Sequence, residues 1–196
     1  MGREFELKFA AKPEDLAVIR EKYPHLAPIL METTYYDNDR GDMARMHWTL
    51  RRRRENDRVV CALKTPGDSR GHGEWEADCD RIEDAIVPLC ELGDPKELLV
   101  RTARGLHPVC GARFTRLAGL LEAEGCTVEL ALDQGVVTGG GKEAPLCEME
   151  VELKSGSTQA AAAFAYAIAG EFGLEEAFES KISRALALAR EGEAHV

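Results

Sequence analysis

The chain has 196 residues, of which 44% are hydrophobic and 31% charged, so it is long and apolar enough to bury its own core. Its formal net charge of −10 argues against general nucleic-acid binding, which needs a basic footprint, while leaving room for a local basic pocket. The six cysteines form no C-x-x-C pair, no stretch is apolar enough to span a bilayer, and Met1 to Glu6 has no apolar signal region. The expected setting is the cytoplasm, with reduced thiols and no membrane partner; oligomeric state is not legible.

In chain order, period-two alternation predicts a first strand over about 3–9. Pro13-Glu14-Asp15 then opens a helix, with proline at an early helical position and acids in the first turn. Strands follow over about 31–37, 46–55, 58–65 and 73–79, then helices over 82–92 and 95–104. The spacing returns to strands over 110–119, 126–133 and 145–154, with Gly139-Gly140-Gly141 as a turn tip. An Ala-rich helix over 158–172 starts from the cap Ser157-Thr158, and a last helix over 181–191 is led by Ser180. Neither a repeat nor a Pro/Ser-rich linker divides the chain, so one domain over 1–196 is expected. Its class is α+β, an antiparallel sheet or barrel with helices added.

Residues two apart on a strand share a face, about 6.6–6.8 Å apart. Glu4, Glu6 and Lys8 therefore lie opposite Phe5, Leu7 and Phe9. Glu148, Glu150, Glu152 and Lys154 lie opposite Cys147, Met149, Val151 and Leu153. Thr49, Arg51 and Arg53 share a face, as do Val60, Ala62 and Lys64, as do Glu74, Glu76 and Asp78, and as do Glu129, Ala131 and Asp133. For any one strand, a solvated polar face is the ordinary explanation. Together, the strands sort carboxylates onto some faces and Arg or Lys onto others, and like charges two apart need relief. Divalent cations would relieve Glu148, Glu150 and Glu152, because hard cations take carboxylate oxygens. A polyanion would relieve Arg51, Arg53 and Lys64, because guanidinium matches phosphate bidentately. If the charged faces turned inward, a closed antiparallel β-barrel would enclose a hydrated tunnel, with the helices packed on the outside.

The opening Glu4-Phe5-Glu6-Leu7-Lys8 is an E-x-E-x-K signature. It is followed in order by Tyr35-Tyr36-Asp37, Leu50-Arg51-Arg52-Arg53, Leu63-Lys64, Glu74-Trp75-Glu76, Phe114-Thr115-Arg116, Ala131 to Gly135, Cys147 to Lys154, and Ser180 to Arg184. This series resembles the CYTH domains, or triphosphate tunnel metalloenzymes, over nearly the whole chain. It is most similar to the bacterial inorganic triphosphatases, several of which carry a further helical CHAD domain that these residues do not include.

The resemblance implies metal ligands at Glu4, Glu6, Glu148, Glu150 and Glu152, with Mg²⁺ or Mn²⁺ as cofactor. It implies phosphate contacts from Lys8, Arg51, Arg53, Lys64, Arg116, Lys181 and Arg184, and a catalytic set of Glu4, Glu6, Lys8, Arg53, Glu150 and Glu152. Arg113 should face away from Arg116, and Asp133 reads either as turn chemistry or as a metal or supporting group. The implied activity is metal-dependent hydrolysis of inorganic triphosphate or another short triphosphate, a small-molecule substrate. Relatives of the same fold leave a class IV adenylate cyclase or a thiamine triphosphatase open, and a polyphosphate-binding module without catalysis is the alternative of another kind.

Overall fold

The computed structural model describes residues 5–68, 71–93, 96–102 and 105–193. The strands are β1 (Glu6–Ala10), β2 (Ala27–Asp37), β3 (Thr49–Glu55), β4 (Arg58–Asp68), β5 (Gly71–Ala77), β6 (His107–Ala123), β7 (Cys126–Gly139), β8 (Lys142–Gly156) and β9 (Glu175–Glu176). The helices are α1 (Pro13–Lys22), α2 (Asp42–Arg45), α3 (Ile82–Gly93), α4 (Lys96–Thr102), α5 (Thr158–Phe172) and α6 (Lys181–Glu193). The helix starts follow local chemistry. Lys12 N–H donates to the Asp15 carboxylate at 2.9 Å ahead of Pro13, and Ser157 Oγ accepts from Ala160 N–H at the head of α5. Too short to show a period, α2 and β9 leave no signal in the sequence.

All nine strands join one antiparallel sheet in the order β5-β4-β3-β2-β6-β7-β8-β1-β9. The sheet curls without closing, which corrects the expected closed barrel. Closure needs the free edges of the two end strands to pair with each other. Part of β1's outer edge is instead taken by β9, through Phe9↔Glu176 and Ala10↔Glu175, and β5 ends the other side.

Two apolar clusters cover the convex face. One packs α1 and α5 through Leu16, Ile19, Ala161, Ala165 and Ile168 against Phe9, Val128, Leu130, Met149 and Val151. The other packs α3 and α4 through Ile82, Ala85, Leu89 and Leu98 against Leu50, Cys61 and Leu63, with Trp48 and Trp75 at its margin. All six cysteines are free and lie buried or half-buried, and burial pushes the Cys61 and Cys110 thiols up to about 11 and about 12.

The last helix departs from the expected exterior cover. Ile182, Ala185, Leu186 and Leu188 of α6 pack on Met31, Tyr35, Phe114 and Leu146, which belong to the concave face. The backbone at the β7–β8 turn makes this seat. A Cβ on Gly139 would stand 2.1 Å from the carbonyl oxygen of Ala185, and one on Gly140 would stand 2.9 Å from that of Ala189. The helix is thereby pressed against the sheet's inner surface at one end of the trough.

Candidate active site

Register explains why charges from distant parts of the chain meet. Arg116 on β6 is opposite Asp133 on β7, and Asp133 is opposite Glu148 on β8. Glu150, one step along that face, is opposite Lys8 on β1, and Glu152 is opposite Glu6. Across the trough, Arg51 and Arg53 of β3 stand opposite Ala62 and Val60 of β4, and Lys64 of β4 stands opposite Glu74 of β5. Glu6, Lys8, Arg116, Glu150 and Glu152 from one group and Arg51, Arg53, Lys64 and Glu74 from the other line one cavity of about 810 Å³, within the ~300–1,000 Å³ typical of small-molecule sites.

The acidic wall is tightly compensated. Asp133, Glu148 and Glu150 are 0%, 2% and 5% exposed, and each brings a carboxylate oxygen within 4.8 Å of the others. Lys181, reaching in from the start of α6, has its Nζ 2.9 Å from Asp133 and 2.7 Å from Glu150 and also donates to Glu148. The Arg116 guanidinium donates to both oxygens of Asp133 at 2.8 and 2.7 Å and reaches Glu150 as well. Behind them, Arg184 lies 3.4 Å from Glu148. Nearer the open end, Lys154 pairs with Glu152 at 2.8 Å, and Lys8 Nζ donates to the carbonyl of Glu179 at 3.5 Å.

These neighbours set the protonation states. Burial works against ionising Glu150, but the Lys181 ammonium and the Arg116 guanidinium outweigh it and hold its carboxyl below the usual range. Glu6 is open to the solvent of the cavity yet walled in by it; that enclosure, followed by the charge on Glu150, raises its carboxyl to about 7. Burial raises the carboxyl of Glu148, against the pull of Lys181. The same carboxylates raise Lys181 and Arg116 above their ordinary values despite burial.

The basic wall is paired with carboxylates of its own. Arg51 and Lys64 share Glu74 at 3.1 and 3.0 Å, while Arg53 pairs with Glu55 at 2.5 Å and approaches Glu76 at 3.7 Å. The Nε atoms of Arg51 and Arg53 are buried without a hydrogen-bond partner among the described residues. Burial, then the charge of Arg51, lowers the pKa of Arg53. Two crowded guanidinium groups with orphaned N–H donors make an anion-seeking surface. By contrast, Arg52 and Arg54 point to the convex side, where Arg52 donates to the Asp80 carbonyl at 2.6 Å, and Arg113 pairs outward with Glu143.

Of the residues that the sequence singles out, the structure brings Glu6, Lys8, Arg51, Arg53, Lys64, Arg116, Glu150, Glu152 and Lys181 into the cavity lining. Glu148 and Arg184 sit just behind it, and Glu4 lies outside the described residues. Arg116, Lys181 and Arg184, which the resemblance groups with the phosphate contacts, all rest against carboxylates here. Asp133 and Glu55 belong to the site as well, although the sequence leaves Asp133 undecided and does not point to Glu55. Strand parity marks both, since Asp133 follows Glu129 and Ala131, and Glu55 follows Arg51 and Arg53.

The donor set fits a hard divalent cation, which Asp133, Glu148 and Glu150 would hold through carboxylate oxygens, with Glu6 facing them. The sequence profile of the CYTH domain matches residues 2–186. The chain belongs to the CYTH domain family. This CYTH chain is 31% identical over 166 residues to an inorganic triphosphatase of Haemophilus influenzae, covering 81% of this chain and 47% of that protein. It thus spans about half the length of that curated relative. Among solved structures, a candidate adenylate cyclase from Bacillus halodurans superposes with a TM-score of 0.66 at 18% identity, covering 93% of this chain and 96% of the other. A candidate adenylyl cyclase from Hippeastrum, described as having a dominant triphosphatase activity, superposes at 0.65 with 21% identity, covering 96% of each chain. Identities this low establish the shared fold alone.

Proposed function

We propose that this CYTH protein is a metal-dependent triphosphatase acting on inorganic triphosphate or another short triphosphate. The observation that carries the reading is the pairing, across one cavity, of a buried carboxylate cluster with an arginine wall whose Nε donors are unsatisfied. Similarity to an inorganic triphosphatase supports it.

In this reading Arg51, Arg53 and Lys64 take phosphate oxygens, and Glu55, Glu74 and Glu76 give up part of their hold on these cations as the substrate enters. The reaction is attack of water on a terminal phosphorus, breaking its bond to the bridging oxygen and releasing phosphate and pyrophosphate. Such transfer depends on alignment and charge neutralisation more than on a side-chain nucleophile. Asp133, Glu148 and Glu150 would hold a divalent cation, which would supply Lewis acidity toward phosphate and water oxygens. The guanidinium groups of Arg51 and Arg53 stabilise charge on the departing pyrophosphate.

The test is phosphate release from tripolyphosphate, thiamine triphosphate and ATP, each with Mg²⁺, Mn²⁺ or chelator, with cyclic AMP measured alongside. Metal-dependent phosphate release from tripolyphosphate is expected. Cyclic AMP as the main product from ATP would transfer the site to cyclase chemistry, and binding without phosphate release would make it a binding module.

A further inference from the structure

Lys181 reaches into the carboxylate cluster that would hold a divalent cation. Its Nζ contacts Asp133, Glu148 and Glu150, the same three carboxylates whose oxygens converge within 4.8 Å. An ammonium and a divalent ion compete for one set of oxygens, and their mutual repulsion at this range disfavours sharing it. Arg116 touches the same cluster but is held differently. Its planar fork is locked onto both oxygens of Asp133, so it can remain as a fixed neighbour. Lys181 hangs on a flexible four-carbon stem and also lines the open cavity. The helix behind it is fixed by the contacts of Gly139 and Gly140 with Ala185 and Ala189. Nζ can therefore leave the cluster by side-chain rotation while α6 stays seated.

We propose that Lys181 is a tethered competitor for the divalent seat, so that metal loading expels its ammonium into the cavity, where it joins the phosphate-binding surface. This inference rests on the metal-dependent triphosphatase reading. It gives a physical reason for a lysine to line an anion cavity while resting on carboxylates. Without metal it neutralises the cluster, and with metal its charge is transferred to the substrate side. Metal and triphosphate then strengthen each other's binding, since each favours the state in which Lys181 has left the carboxylates.

The experiment is Mn²⁺ titration followed by electron paramagnetic resonance on the full chain, alone and with the slowly hydrolysed analogue imidotriphosphate. Parent, Lys181→Met and Lys181→Gln are compared, with the surface variant Lys22→Met as control. Without analogue, both Lys181 variants should bind Mn²⁺ about tenfold more tightly than the parent, on the scale of ordinary coupling between sites. The analogue should tighten Mn²⁺ binding about tenfold in the parent and much less in the variants. Unchanged or weaker Mn²⁺ affinity in both variants, with a parent that binds Mn²⁺, would overturn the competitor role and leave the triphosphatase reading standing. A parent that binds no Mn²⁺ in either condition would overturn both. If Lys181→Met melts without metal, Mn²⁺ should raise its Tm more than the parent's, and an equal rise would also count against the proposal.

Discussion

Arg116 and Asp133 are direct cross-strand partners on β6 and β7, joined by two hydrogen bonds of 2.8 and 2.7 Å around a carboxylate that is 0% exposed. Arg116 lines the cavity and also reaches Glu150. Removing Arg116 leaves the buried Asp133 with Lys181 as its remaining cationic neighbour, and breaking a buried pair in this way costs up to about 3–5 kcal/mol. Arg116→Leu should therefore lower the urea midpoint strongly, while Arg116→Leu with Asp133→Leu should lose much less than the sum of the two single changes. Additive losses in that double-mutant cycle would mean the pair carries little energy.

The seat of α6 is open to a steric test. A Cβ at Gly139 would sit 2.1 Å from the Ala185 carbonyl oxygen, so Gly139→Ala must push the helix off the sheet. A stability loss of about 1–3 kcal/mol is expected, with faster amide exchange concentrated in α6. Unchanged exchange in the helix would show that it is not anchored there.

The pH dependence of metal-free stability follows from Glu6. Enclosure within the cavity, then the charge on Glu150, raises its carboxyl from 4.5 to about 7 in the folded protein. Between those values the folded state holds a proton that the unfolded chain has released, so stability falls as pH rises through that window. Glu148, raised mainly by burial, acts in the same direction. The Tm of the metal-free protein should drop from pH 5 to pH 7.5, and Glu6→Gln should flatten that slope. A slope equally steep in the variant would mean that Glu6 is not its source.

Neighbouring arginines of β3 should separate cleanly in kinetics. Arg53 faces the cavity, whereas Arg52 faces outward and donates to the Asp80 carbonyl. Loss of a charged phosphate contact costs about 1.5–3 kcal/mol, or roughly 10–100-fold. Arg53→Ala should raise KM by that order and should lower kcat as well if the contact tightens in the transition state. Arg52→Ala should stay within about twofold, as surface changes usually do. Equal defects in the two variants would contradict the inward assignment of Arg53.

Strand parity alone makes most of the charged wall legible in the sequence. The alternation through Glu148, Glu150 and Glu152, and through Thr49, Arg51 and Arg53, identifies the concave face because side chains two apart must point the same way. Parity is silent on whether the sheet's ends meet, so it allows the closed barrel that β9, seated on part of β1's edge, rules out. It is equally silent on which side of the sheet a helix lies. The glycines that let α6 enter the concave face read in sequence only as a turn. The pairing of Lys181 with acids rather than anion-binding arginines depends on that placement, which no local pattern encodes.

Whether the carboxylate cluster works with a divalent cation on a triphosphate held by the opposite wall is tested most directly by phosphate release from tripolyphosphate. The assay compares parent and Glu150→Gln with Mg²⁺ or Mn²⁺, with folding checked by circular dichroism. Glu150 loses its ligand charge and keeps nearly its shape in this variant. The parent should release phosphate only with metal, and the folded variant should lose most of its turnover and regain part of it at higher metal concentration. Full activity of the parent after thorough chelation, or of Glu150→Gln at low metal, would contradict the metal-dependent triphosphatase assignment.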